Sequence, residues 1–218
     1  MALPLVIKTP ATIMLAGPSS CGKSSLVQKI ITRLNEVFDR PPERVVICYD
    51  RDQELYAEIR RHSPVPVEMV KGLSPNLKPP PRTLLVFDDL QQSSELICDW
   101  FTKNSHHYDC DLIYVTQNLF LKSPHHRTCS LNTHILGVFK NPRDKSQIFH
   151  LARQVAPDNP KFILSAFTQA TSKPHGYLLL NMKQDTPDIF RYRDSFFKDA
   201  HFFVDRNTSE RCDLSISR

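Results

Sequence analysis

Gly17-Pro18-Ser19-Ser20-Cys21-Gly22-Lys23-Ser24 matches the phosphate-loop pattern G-x-x-x-x-G-K-[ST] at every fixed position. Each position has a physical task. Gly17 and Gly22 are expected to let the backbone turn so that successive N–H groups face phosphate oxygens. Lys23 brings one positive charge to the β and γ phosphates, and Ser24 offers a hydroxyl to Mg²⁺. The whole run from Gly17 to Ser25, with Pro18, Ser19, Ser20 and Cys21 inside it, is the expected cradle for ATP. The helix that follows adds its positive N-terminal end to the same anion site.

The flanking residues supply the strand and helix that such a loop needs. Thr12-Ile13-Met14-Leu15-Ala16 is a short apolar run and reads as a buried strand. After the loop, Leu26, Val27, Ile30, Ile31, Leu34, Val37 and Phe38 recur at helical spacing, and Pro41-Pro42 ends that helix near Asp39.

Further along, Arg44–Tyr49, Arg82–Phe87, Asp111–Thr116 and His134–Phe139 read as strands, with a brief one around Val67–Val70 inside a proline-rich loop. Helices are expected over Gln53–Arg61, around Leu96 to Phe101, after Asp144, and after Asn159-Pro160. Tyr177–Leu180 and Asp188–Tyr192 are expected to pair as late strands. Strands alternating with helices predict an α/β fold: a P-loop NTPase with a mainly parallel central sheet flanked by helices on both faces. The expected organisation is one ATPase domain over residues 1–205 and a polar C-terminal tail over 206–218.

Bulk properties exclude several classes. No segment approaches the roughly 20 apolar residues of a membrane span, and Met1–Leu5 does not read as the start of a signal peptide. The six cysteines show no C-x-x-C spacing and read as reduced thiols of an intracellular protein, in a cytosolic or nuclear compartment. A net charge of +5 permits a nucleic-acid partner without demanding one.

The apolar run Leu84–Phe87 leads into Asp88-Asp89. Asp88, at the carboxyl end of a strand, is expected to hold Mg²⁺ through water. Asp89 is expected to orient and deprotonate an attacking water, although it can also cap the following turn. Thr116-Gln117-Asn118 ends the next strand, where an amide can bond both a γ-phosphate and that water. Gln117 is the first candidate for this sensor, and a plain turn is the bland alternative.

Taken together, these motifs resemble the viral genome-packaging ATPases of the FtsK–HerA superfamily. The likeness is to those of Polinton/Maverick elements and adintovirus-like viruses, relatives of the poxvirus and adenovirus proteins. Besides the loop and the acidic pair, it is carried by Val115–Phe120, Arg127–His134 and Val138–Asp144. It covers roughly residues 10 to 195. The resemblance implies a RecA/FtsK–HerA-like fold and a homo-oligomeric ring, pentamer or hexamer. That ring would thread double-stranded DNA into a capsid, with a capsid or portal protein as partner, and would be associated with the virion.

The resemblance also implies an arginine donated in trans, with Arg127 the first candidate and Arg143 the second, both placed in loops. Many relatives carry Glu where Asp89 stands. A nucleoside-type kinase and a nucleotide-switched scaffold remain alternatives. His106–Cys110 and His125–Cys129 echo each other and read as solvated loops rather than zinc ligands. Arg60, Arg61, Lys122 and Lys173 are candidate DNA contacts, against ordinary solvated cations.

Overall fold

The structure is a computed structural model and describes residues 6–121 and 123–205. Met1–Leu5, Lys122 and the polar stretch 206–218 lie outside the described residues.

In chain order the described elements are β1 (Thr12–Ala16), α1 (Lys23–Thr32), α2 (Leu34–Val37), β2 (Arg44–Tyr49), α3 (Glu54–His62), β3 (Val67–Lys71) and β4 (Thr83–Asp88). Then come α4 (Ser94–Asp99), α5 (Ser105–Tyr108), β5 (Asp111–Thr116), α6 (Pro124–Leu131) and β6 (Ile135–Phe139). Last are α7 (Ser146–Val155), α8 (Pro160–Ala170), β7 (Tyr177–Asn181), β8 (Tyr192–Arg193) and β9 (Phe202–Phe203).

These strands form one sheet in the order β3-β2-β4-β5-β1-β6-β7-β8-β9. The first six are mutually parallel, and β7, β8 and β9 add an antiparallel extension at one edge. Side chains alternate across the sheet because successive Cβ atoms point to opposite faces. Ile13, Leu15, Val45, Ile47, Val86 and Ile113 pack with α1, α2 and α3 on one side. Met14, Val46, Leu85, Phe87, Leu112 and Tyr114 pack with α4, α6, α7 and α8 on the other. Both faces being covered explains why β1, β4 and β5 are buried at every residue and read as unbroken apolar runs.

Four expectations are corrected. The helix expected to run to Phe38 breaks at Arg33 and restarts as α2. Arg33 leaves the helical region at φ −131° and lays its guanidinium over the Phe197 ring at 4.9 Å, while Leu34 and Val37 turn into the core.

Asp188–Tyr192 is not a strand; Asp188–Phe190 forms a 3₁₀ turn, and Tyr192–Arg193 pairs with β7. Arg191 holds that turn by donating to Asp188 Oδ1 at 2.6 Å, to Asn181 O at 3.2 Å and to Lys183 O at 3.1 Å.

The segment holding Arg127 is helix α6 rather than a loop, capped by Ser123 with Pro124 at its first position. The histidine–cysteine blocks fall on α5 and α6 and are partly core: Cys110, His126 and Cys129 are buried.

Asp111 opens β5 from a buried position at the amino end of the sheet, where its Oδ1 accepts the Ala11 N–H at 2.8 Å. Burial pushes its carboxyl up to about 7 from 3.8, against that hydrogen bond. Between those two values the native state holds a proton that the unfolded chain has released, so this group's contribution falls as pH rises through the window. Asp111→Asn keeps an oxygen for Ala11 and carries no charge. Its melting temperature relative to wild type is therefore expected to climb from about pH 4 to about pH 7 and to level off above that; a difference constant across that range would contradict the assignment.

Candidate active site

In the strand order β4-β5-β1, three neighbouring parallel strands end side by side. The phosphate loop leaves β1, Asp88 closes β4 with Asp89 next, and Gln117 follows β5. Residues 17 and 117 thus lie about half the chain apart in sequence but at adjacent strand ends, where open parallel sheets bind ligands.

The loop is built by two left-handed residues. Gly22 sits at φ 108° and Ser20 at φ 63°. Gly17, expected to be a second flexible hinge, does not adopt positive φ. Its role is close approach: a Cβ there would stand 2.6 Å from Phe139 Cβ and 2.9 Å from Cys21 Sγ. No side chain caps α1, so its first-turn N–H groups are left for a ligand.

Lys23 is buried at 8% exposure and folds along the loop. Its Nζ donates to Gly17 O at 2.7 Å and Pro18 O at 2.8 Å, with Cys21 Sγ at 3.8 Å. An ammonium has three donors, so one makes only that long sulfur contact and is left to serve a phosphate. Burial holds the Cys21 thiol above its ordinary range, against the pull of Lys23.

Asp88 is buried at 6% exposure. Its Oδ2 accepts the Tyr56 hydroxyl at 2.8 Å and the Gln53 amide at 3.4 Å. Burial raises its pKa, with the Tyr56 hydrogen bond the largest opposing influence; Asp89 raises it further, and Lys23 and Gln53 lower it.

Asp89 turns off the strand at φ 54°, a left-handed conformation that Asp tolerates better than most residues, with its N–H on Val115 O at 3.3 Å. Gln117 Nε2 reaches both carboxylate oxygens of Asp89, at 3.3 and 3.2 Å. The acid and the amide read separately from sequence are therefore one hydrogen-bonded pair.

The donor set suits Mg²⁺. The Ser24 hydroxyl on the first turn of α1 and a buried carboxylate are hard oxygen ligands, and Mg²⁺ usually takes one or two such groups plus substrate phosphates and water. Among the described residues no three His, Cys, Asp or Glu side chains gather as a separate metal cluster.

Arg127 lies exposed on α6, and Arg143 lies exposed in the turn before α7. Neither is brought to Asp89 or to the phosphate loop by a hydrogen bond or ion pair among the described residues.

Sequence reasoning missed three contributors. Gln53, the residue just before α3, and Tyr56, in its first turn, reach Asp88, and a tyrosine at the start of an amphipathic helix carries no motif that announces it. His175, at φ 60° before β7, places Nδ1 3.2 Å from the Cys21 carbonyl oxygen and packs on Gly22. Beside it a polar cleft of about 480 Å³ is lined by Ser25, Lys29, Lys173, Tyr177, Asp194 and Ser195. On the other face of the loop an apolar cavity of about 480 Å³ is lined by Gly17, Gln117, Phe139, Phe149 and Phe167.

The strand order, the loop between β1 and α1, and the acid at the end of β4 define the P-loop NTPase fold. No protein-family model and no curated protein matches the chain by sequence. Among solved structures it is similar to the genome-packaging NTPase B204 of Sulfolobus turreted icosahedral virus 2 in complex with sulfate. That match has a TM-score of 0.53 at 12% identity, over 81% of this chain and 93% of that one. The complex of the same NTPase with AMPPCP gives 0.51 at 15% identity, over 81% and 94%. The DNA-packaging ATPase B204 of Sulfolobus turreted icosahedral virus gives 0.52 at 11% identity, over 81% and 94%. Among the described residues no helix is long and apolar enough to cross a membrane.

Proposed function

We propose that this chain is a Mg²⁺-dependent ATPase that drives double-stranded DNA into a viral capsid as a homo-oligomeric ring. The observation that carries the reading is the convergence of Lys23, Asp88 and the Asp89–Gln117 pair at three adjacent strand ends. A fold shared with packaging NTPases over four-fifths of the chain supports it. So do the sequence motifs that resemble those of Polinton/Maverick and adintovirus-like packaging ATPases.

The loop from Gly17 to Ser25 grips the phosphates. Ser24 and Asp88 would hold Mg²⁺, which would supply charge neutralisation at the phosphate oxygens. Asp89 takes a proton as the water oxygen attacks the γ-phosphorus and the bond to the β-phosphate oxygen breaks, giving ADP and phosphate. Gln117 keeps the carboxylate aimed by donating to both of its oxygens. Arg127 on α6, or Arg143, is the candidate to reach a neighbouring subunit's γ-phosphate, since both are exposed and neither side chain forms an ion pair among the described residues. Arg60 and Arg61, exposed at the end of α3, and Lys173 are candidate backbone contacts to DNA.

The test is the steady-state rate across DNA length and salt, with particle mass followed in parallel. Turnover is expected to rise with long duplex DNA and to lose that stimulation as salt increases. Equal turnover with and without DNA in an oligomer would overturn the motor reading. Phosphate transfer to a nucleoside instead of water would replace it with a kinase.

A further inference from the structure

We propose that Tyr56 is a positioning residue for the metal: its hydroxyl, with the Gln53 amide, holds Asp88 Oδ2 so that Oδ1 is the oxygen presented to the ion's water shell. The inference rests on the Mg²⁺–nucleotide reading of the site and adds to it a support that no phosphate-loop or acidic motif contains.

The bonds from Tyr56 and Gln53, at the start of α3, land on the same carboxylate oxygen, at 2.8 and 3.4 Å, and among the described residues no hydrogen bond lands on Oδ1. A carboxylate bonded on one oxygen cannot rotate freely about its Cβ–Cγ bond, so the direction of the other oxygen is set. The tyrosine is itself held. It is 4% exposed, its ring lies 5.1 Å from the Tyr49 ring at 50°, and Gln53 also donates to its hydroxyl oxygen at 3.2 Å. Tyr49 ends β2, the strand beside β4, where it is paired with Asp88 in the ladder. The support therefore runs from one strand end, through two rings and a hydroxyl, to the acid on the next.

The hydroxyl hydrogen is directed at Asp88, because Gln53 already donates to the phenol oxygen and Asp88 accepts only. Packing alone would explain a buried ring, but it would not explain a buried hydroxyl and a glutamine amide directed at one oxygen of this acid. Outer partners of a ligating carboxylate generally act in this way, by fixing the ligand's orientation.

The test is a Mg²⁺ titration of fluorescent ATP-analogue binding to the full chain, paired with binding in EDTA and with linewidths of bound Mn²⁺. Tyr56→Phe keeps the ring and its contact with Tyr49 and removes only the hydroxyl. It is expected to raise the Mg²⁺ midpoint on the order of 10-fold and to alter the Mn²⁺ linewidth. Nucleotide binding in EDTA stays within error of wild type. Gln53→Leu is expected to shift the midpoint in the same direction by less, since its bond is the longer one.

A wild-type Mg²⁺ midpoint in Tyr56→Phe overturns the positioning role and leaves the nucleotide site standing. Equal losses with and without metal also overturn it, because a merely structural residue would behave that way. Failure of the wild-type chain to bind any nucleotide is the distinct outcome that overturns the parent reading.

Discussion

Lys23→Ala is expected to lower ATP turnover by roughly 10²–10³-fold, the cost of removing one preorganised donor at the charge that develops during reaction. The structure makes the effect more than the loss of a surface charge. Lys23 is buried, and its Nζ ties the Gly17 and Pro18 carbonyls together. Alanine removes the charge and also the brace that satisfies those two carbonyl oxygens. Lys23→Arg cannot restore either, because a planar guanidinium does not fit where a compact ammonium bonds two carbonyls. Both variants are expected to fail in a steady-state assay while the fold survives, since β1 and α1 keep their apolar partners. Near wild-type turnover by Lys23→Ala would place the reaction elsewhere.

Asp89→Asn is expected to cut hydrolysis by roughly 10²–10⁴-fold, the usual worth of a positioned general base, with ATP binding retained. Asparagine is the informative replacement because residue 89 sits at φ 54°, where Asn is tolerated and a bulkier residue would add strain. Single-turnover mixing separates the effects: binding amplitude unchanged, phosphate release slowed. In mixed oligomers, subunits carrying Arg127→Ala are expected to restore turnover when combined with subunits carrying Asp89→Asn, since each supplies what the other lacks across an interface. No restoration would remove Arg127 from the trans role and leave Arg143 to be tested in the same way.

Much of the fold was readable because parallel strands covered on both faces must be apolar throughout. Leu84–Phe87 and Leu112–Val115 admit no other placement, and the structure puts them in neighbouring central strands. Helix α6 was not readable: only His126 and Cys129 of its eight residues are buried, so no apolar stripe betrays it. Its one signal was Ser123-Pro124, a cap followed by a residue that suits the first helical turn. The Asp188 segment failed for a different reason. Its residues suit a strand, but Arg191 finds carbonyl and carboxylate partners that a ladder could not offer.

At the candidate site the division is similar. The loop and the acids have motifs because phosphate and metal chemistry demand particular residues at particular spacings. Tyr56, Gln53 and His175 reach the site through tertiary packing, from positions 32, 35 and 154 residues away in sequence from their partners, and leave no local pattern.

The most direct measurement is an equilibrium titration of the purified chain with a slowly hydrolysed ATP analogue in the presence of Mg²⁺, run beside Lys23→Ala. Saturable binding by the wild type that is lost in the variant is the predicted result. A flat titration for the wild type, with any nucleoside triphosphate, would contradict the assignment of Gly17–Ser25 as a triphosphate cradle.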